Sequence, residues 1–161
     1  MPYTTAAMKR KKSSAFLNLS HARTGAQRTQ MEEIIKEGIC PFCEEHLRRT
    51  HAAPVEWRGK YWSITKNDYP YEGTTHHYLA ITREHLTDIR ELSDASSAEL
   101  MRHFKKIAKL KKIKGGTVVM RFGDTNRTTA TIEHLHAHII AGGRESKAAD
   151  KIKVSVGYKK K

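Results

Sequence analysis

Between positions 134 and 140 the chain reads His134-Leu135-His136-Ala137-His138-Ile139-Ile140, with imidazole and apolar side chains in alternation. Successive side chains of a β-strand point to opposite faces. The run therefore predicts a strand over 133–141, with Leu135, Ala137 and Ile139 in a core and three imidazoles on the other face. Imidazoles gain little from burial, and each carries polar atoms that need partners. A purely structural role explains such a row poorly; a chemical role explains it well. One metal ion shared by all three is disfavoured by geometry. Same-face neighbours on a strand stand ~7 Å apart, wide for three ligands of one tetrahedral ion.

The remaining periodicities supply a sheet for that strand. Segments 55–57 and 61–65, split by Arg58-Gly59-Lys60, read as a hairpin, with further strands over 77–82 and 118–122. Thr29 and Glu32 form a Thr-x-x-Glu capping box ahead of Ile34 and Ile35, and Gly38 stops that short helix. Ser96 and Glu99 repeat the pattern before a longer helix whose Leu100, Phe104, Ile107 and Leu110 share one face, ended by Gly115-Gly116. The expectation is an α+β domain over 29–143: a five-stranded antiparallel sheet with one long and one short helix. Basic, disordered-looking tails at 1–28 and 144–161 flank it.

The net charge of +13 is unevenly placed. Residues 1–30 carry six Lys or Arg and no acid, 102–114 contribute +7 and 144–161 contribute +5. These segments hold +18, so the rest of the chain is at −5. Basic tails and one basic helix face favour polyanions such as RNA or ribosomes, or serve as solvated surface. The first thirty residues also resemble a mitochondrial presequence, so the expected compartment is the cytoplasm with the mitochondrial matrix as the alternative. No apolar run approaches the length of a membrane span, and no secretory leader is expected.

Two cysteines, Cys40 and Cys43, exclude a disulfide framework by count and leave a metal or redox role in a reducing compartment. A redox couple of thioredoxin type needs a fold that nothing downstream resembles. Zinc needs two more ligands, and two sets are available: His46 with His51 nearby, or His85 with His134 across the fold.

The run His-φ-His-φ-His-φ-φ, with φ apolar, resembles the signature of the histidine-triad (HIT) superfamily of nucleotide hydrolases and transferases. Upstream pieces fall in that family's order: Asn67-Asp68-Tyr69-Pro70 before Gly73, then His77-Tyr78-Leu79-Ala80-Ile81, Thr82-Arg83-Glu84-His85 and Glu91-Leu92-Ser93. The resemblance implies that His136 is a nucleophile attacking the α-phosphorus, that His138 hydrogen-bonds near the phosphate, and that Thr131 and Asn67 reach phosphate and ribose. It places Ile64 or Ile81 in a base pocket. The loop before the triad, Asp124 to Thr131, departs from the family's glycine-rich form with a Gln-Ser pair, and Arg127 stands there to stabilise a polyphosphate's charge. No Gln follows the triad, which argues against a hexose-1-phosphate uridylyltransferase. The zinc-bearing branches, related to galactose-1-phosphate uridylyltransferase, use the first triad histidine as a ligand. By that likeness Cys40, Cys43, His85 and His134 hold a structural zinc. The implied activity is hydrolysis or transfer on diadenosine-polyphosphate-like nucleotides or nucleoside phosphoramidates, in a homodimer. The competing expectation is a zinc-stapled binding module tethered to RNA or ribosomes by its basic segments.

Overall fold

A computed structural model describes residues 16–160. In chain order the elements are α1 (Gly25–Glu37), α2 (Glu44–Thr50), β1 (Val55–Arg58), β2 (Trp62–Lys66), β3 (His76–Thr82), α3 (Asp94–Leu110), β4 (Thr117–Arg121), α4 (Thr125–Thr128) and β5 (His136–Ala141). The strands form one antiparallel sheet in the order β1-β2-β3-β5-β4. This is the expected α+β architecture.

The sheet has two different faces because β2, β3 and β5 bury both sides. On one, Ile64, Tyr78, Ala80, Ala137 and Ile139 pack under Leu100, Phe104 and Ile107 of α3. On the other, Leu79 and Ile81 meet Cys40, Phe42 and Leu47. A third apolar cluster, Leu17, Met31 and Ile34, joins α1 to Ile132. His136 and His138 share the face of Leu79 and Ile81, since their register partners on β3 are Ile81 and Leu79.

Three local expectations are corrected. Helix α1 starts earlier than Thr29: Thr24 Oγ1 accepts from the Gln27 amide at 3.1 Å, and Thr29 lies one turn inside, donating to the Gly25 carbonyl. Helix α3 is capped by Ser93, not Ser96. The Glu99 carboxylate reaches away from α3 and accepts from the amides of Lys60, Tyr61 and Trp62 at 3.1, 2.9 and 3.1 Å. A Ser-x-x-Glu pattern cannot distinguish a reach back to the cap from a reach to another element. Here three amide donors of the β1–β2 turn take the carboxylate. Gly59 is required in that turn, because a Cβ there would stand 2.1 Å from Glu99 Oε1.

The third correction concerns β5, which begins at His136 rather than at 133. The Leu135 amide donates to the Leu86 carbonyl at 2.6 Å and pulls the preceding residues off the sheet. The expected tails also differ from appendages where they are described. Leu17 is buried and bridges Ile132, the Asn18 amide donates to Thr131 O and the Glu133 amide to Phe16 O. Residues 144–160 have no regular strand or helix, yet Ile152 packs on Gly142, where a Cβ would approach it to 2.7 Å. The basic positions within 1–15, and Lys161, lie outside the described residues.

Candidate active site and metal centre

The bend before β5 takes His134 out of the row. Its Nε2–H donates to the Thr82 carbonyl at 2.7 Å, which fixes the tautomer and turns Nδ1 towards the cysteines. The ligand atoms of Cys40, Cys43, His85 and His134 all lie within 4.8 Å of one another. Cys40 Sγ is 3.4 Å and Cys43 Sγ 3.9 Å from His134 Nδ1, and Cys43 Sγ is 3.3 Å from His85 Nδ1. A tetrahedral ion with ~2.3 Å bonds to sulfur and ~2.05 Å to nitrogen has S···N edges of about 3.6 Å. The donor set fits such an ion in both kind and spacing. Between themselves the thiols share a hydrogen bond that lowers Cys40 and, with burial, pushes Cys43 up to about 11. The alternative knuckle does not form. His51 spends Nδ1 on Asp68, at 3.1 Å, and Nε2 on the Lys66 carbonyl, at 2.8 Å, while His46 points to Glu45.

His136 and His138 follow on the strand proper, ring centroids 5.0 Å apart. His136 Nδ1–H donates to the His134 carbonyl at 2.6 Å, so a neutral ring keeps its lone pair on Nε2. Burial lowers its pKa to about 4, and Arg121 adds to the shift. His138 is pushed well below its ordinary value by burial first and then by His136, His77 and Arg121. His138 Nδ1 lies 2.9 Å from His77 Nε2, and the Tyr71 amide donates to His77 Nδ1 at 3.1 Å. That amide makes His77 Nδ1 an acceptor, which leaves Nε2–H to donate to His138 and the remaining proton of a neutral His138 on Nε2. Among the described residues, His138 Nε2 is the one buried side-chain polar atom without a hydrogen-bond partner. The pair thus presents a nucleophilic nitrogen beside an unsatisfied donor.

Both rings open into a cleft of about 420 Å³. Its apolar wall includes Met31, Ile34, Phe42 and Leu79, with Phe42 edge-on to His136 at 5.1 Å between centroids. Asn67 and Thr131 line this cleft. Asn67 accepts from the Tyr69 amide at 2.9 Å, and its Nδ2 lies 3.0 Å from His77 Nε2. Neither Ile64 nor Ile81 lines the cleft: Ile64 is on the α3 face and Ile81 is buried behind the Cys40 loop. Arg127 is also outside it, 85% exposed beside Asp124. The short helix α4 turns it to solvent.

The arginines that do line the cleft are Arg23, from the segment before α1, and Arg121, at the end of β4. Arg121 is the register partner of His136. Sequence reasoning missed it because its strand was read without a partner, and pairing register across a long loop is not a local property. His77 was missed as a functional group although it was placed on the correct strand. The signal was available in the doublet His76-His77, since one of two adjacent strand residues must share the triad's face.

Curated proteins provide no significant sequence match. Solved structures match in fold. A HIT family hydrolase from Clostridium thermocellum is 24% identical, over 71% of this chain and 96% of that one, with a TM-score of 0.50. A histidine triad protein from Clostridium difficile is 20% identical, over 68% and 96%, with a TM-score of 0.52. A zinc-bound histidine triad family protein from Mycobacterium smegmatis is 17% identical, over 71% and 82%, with a TM-score of 0.53. Residues 43–153 match the family described as "Scavenger mRNA decapping enzyme C-term binding", and the chain belongs to this histidine-triad family.

Proposed function

We propose that the chain is a nucleotidyl hydrolase or transferase that breaks a P–O or P–N bond of a nucleotide through a covalent intermediate on His136. The observation that carries this reading is the 2.6 Å bond from His136 Nδ1 to the His134 carbonyl. It holds the neutral tautomer whose Nε2 lone pair faces the cleft, and a pKa of about 4 keeps that lone pair free at neutral pH. The N–P bond forms as the bond to the leaving group breaks, and the electron pair departs with the leaving atom. Water, or another acceptor, then attacks phosphorus and returns Nε2 to its lone-pair form. His138 Nε2–H is placed to donate to a phosphoryl oxygen or to the leaving atom.

Asn67 and Asp68 sit where a nucleoside would contact the loop between β2 and β3, and the apolar wall of Phe42 and Leu79 suits a base. The family description, scavenger mRNA decapping, and diadenosine polyphosphates share one chemistry, a 5′–5′ polyphosphate bridge. Cys40, Cys43, His85 and His134 would hold zinc, which supplies structure and no chemistry because all four positions are taken by protein. Through His134 that site fixes the carbonyl on which His136 depends.

Incubation with diadenosine tetraphosphate, with and without inorganic phosphate, tests the reading. ATP and AMP as products mean transfer to water; ATP and ADP mean transfer to phosphate. No products from the tetraphosphate or from adenosine 5′-phosphoramidate would leave the protein a binding module. The exposed Arg102, Lys105, Lys106 and Lys109 of α3 favour RNA as its partner in that case.

A further inference from the structure

Two guanidinium groups meet on one aromatic ring beside the triad. The Arg23 guanidinium lies over Tyr71, 4.3 Å from the ring centroid, and Arg121 Nη2 donates to the Tyr71 hydroxyl at 3.0 Å. The same ring stacks on His77 and His138, at 4.8 and 6.3 Å between centroids. The remaining partners of both arginines are neutral backbone carbonyls, Tyr69 O for Arg23 and Ser155 O for Arg121. Neither makes an ion pair with a carboxylate among the described residues. Burial and the neighbouring Arg121 lower the pKa of Arg23, so the two charges crowd each other. A third cation, Lys153, reaches the same cleft from the C-terminal segment. That segment is tied across the opening: Thr129 Oγ1 donates to Ser155 O at 3.1 Å, and Tyr158 Oη lies 2.7 Å from His21 Nε2.

Three cations without a carboxylate partner among the described residues, one of them the cross-strand neighbour of the nucleophile, call for an anion with more than one charge. We propose that Arg23, Arg121 and Lys153 form a subsite for the phosphates beyond the scissile bond. The substrate class is then a nucleotide whose leaving group is itself a polyphosphate, not a phosphoramidate that releases a neutral amine. This rests on the nucleotidyl-transfer reading of His136. As the N–P bond forms and the P–O bond to the next phosphate breaks, the electron pair moves onto that phosphate's oxygen. The subsite binds the growing charge there. The segment before α1 and the segment after β5 are therefore both parts of the site.

The test compares diadenosine tetraphosphate with adenosine 5′-phosphoramidate, which share nucleoside and scissile phosphorus. Removing one such donor costs about 10²–10³ in turnover. Arg121→Gln is expected to lower kcat/KM on the tetraphosphate by about that factor, and to lower its ratio to the phosphoramidate value by at least ~30-fold, with Arg121→Lys restoring part of it. Equal losses on both substrates would overturn the subsite. Titration of inorganic tripolyphosphate into unmodified protein is the second arm. Saturable binding that weakens with added salt, and that weakens at least ~10-fold in an Arg23→Gln, Lys153→Ala variant, is expected. Failure of unmodified protein to bind tripolyphosphate would also overturn the proposal. If unmodified protein turns over neither nucleotide, the transfer reading fails, and the tripolyphosphate arm alone decides the subsite.

Discussion

Cys40→Ser perturbs the metal centre without changing any residue of the catalytic row. Cys40 Sγ stands 3.4 Å from His134 Nδ1, on one edge of the four-ligand cluster, and Cys40 is buried with Phe42 and Leu47. Structural zinc contributes about 10–16 kcal/mol of apparent binding energy in small zinc domains, so one ligand of four carries on the order of 3 kcal/mol. With roughly 2–4 °C of Tm per kcal/mol for a domain of this size, the variant should melt about 10 °C lower. Metal content, measured by mass spectrometry of the native protein, should fall from about one zinc per chain to well below one. The loss should reach the active site, because Phe42 rests edge-on against His136 and the His134 carbonyl orients it. A strong chelator should therefore lower both Tm and turnover of the unmodified protein. Full zinc content in Cys40→Ser, with an unchanged melting curve, would refute the ligand set and the coupling drawn from it.

Further outcomes follow from other parts of the structure. His136→Asn should keep fold and nucleotide binding while turnover falls by about 10⁴ or more, and His138→Asn should lose less; rapid-quench labelling of protein in the parent but not in His136→Asn checks the intermediate. His77 is held neutral by burial, its pKa lowered to about 4. Its contribution to stability is thus complete above the unfolded value near 6.5 and is lost as pH falls towards 4; denaturant midpoints from pH 7.5 to 4 should decline, less steeply in His77→Asn. Glu99→Ala strips three amides of their acceptor and should cost about 2–4 kcal/mol, read by urea unfolding. Arg127→Gln should change turnover less than about twofold because the side chain is solvated, whereas deletion of 151–161 should reduce turnover on diadenosine tetraphosphate strongly.

The alternation at 134–140 was enough to place Ala137 and Ile139 in the core and His136 and His138 together on the opposite face, because side-chain direction in a strand depends only on parity. The α3 stripe of Leu100, Phe104 and Ile107 was legible for the same reason, with helical instead of strand period, whereas Leu110, expected on the same face, is exposed at the last position of the helix. The four metal-ligand residues were legible as chemistry, since few side chains besides Cys and His bind zinc well, but His46 and His51 fitted the spacing equally. Only the fold chose: it used up both nitrogens of His51 on Asp68 and Lys66, and it bent the chain at Leu135 so that His134 left the row. The folded chain also caps the two helices at Thr24 and Ser93, and it engages Glu99 with three amides at the β1–β2 turn instead of with a cap. Tertiary contacts exchanged Arg127 for Arg121 and Arg23, and brought the segment before α1 and residues 153–158 to the cleft. Periodicity and residue chemistry are carried by neighbours in sequence, so the sequence by itself determined the strand, the helix face and the reactive groups. Register, cap choice and convergence of charges depend on which distant groups compete for the same hydrogen bonds, and that competition is resolved only when the chain is folded.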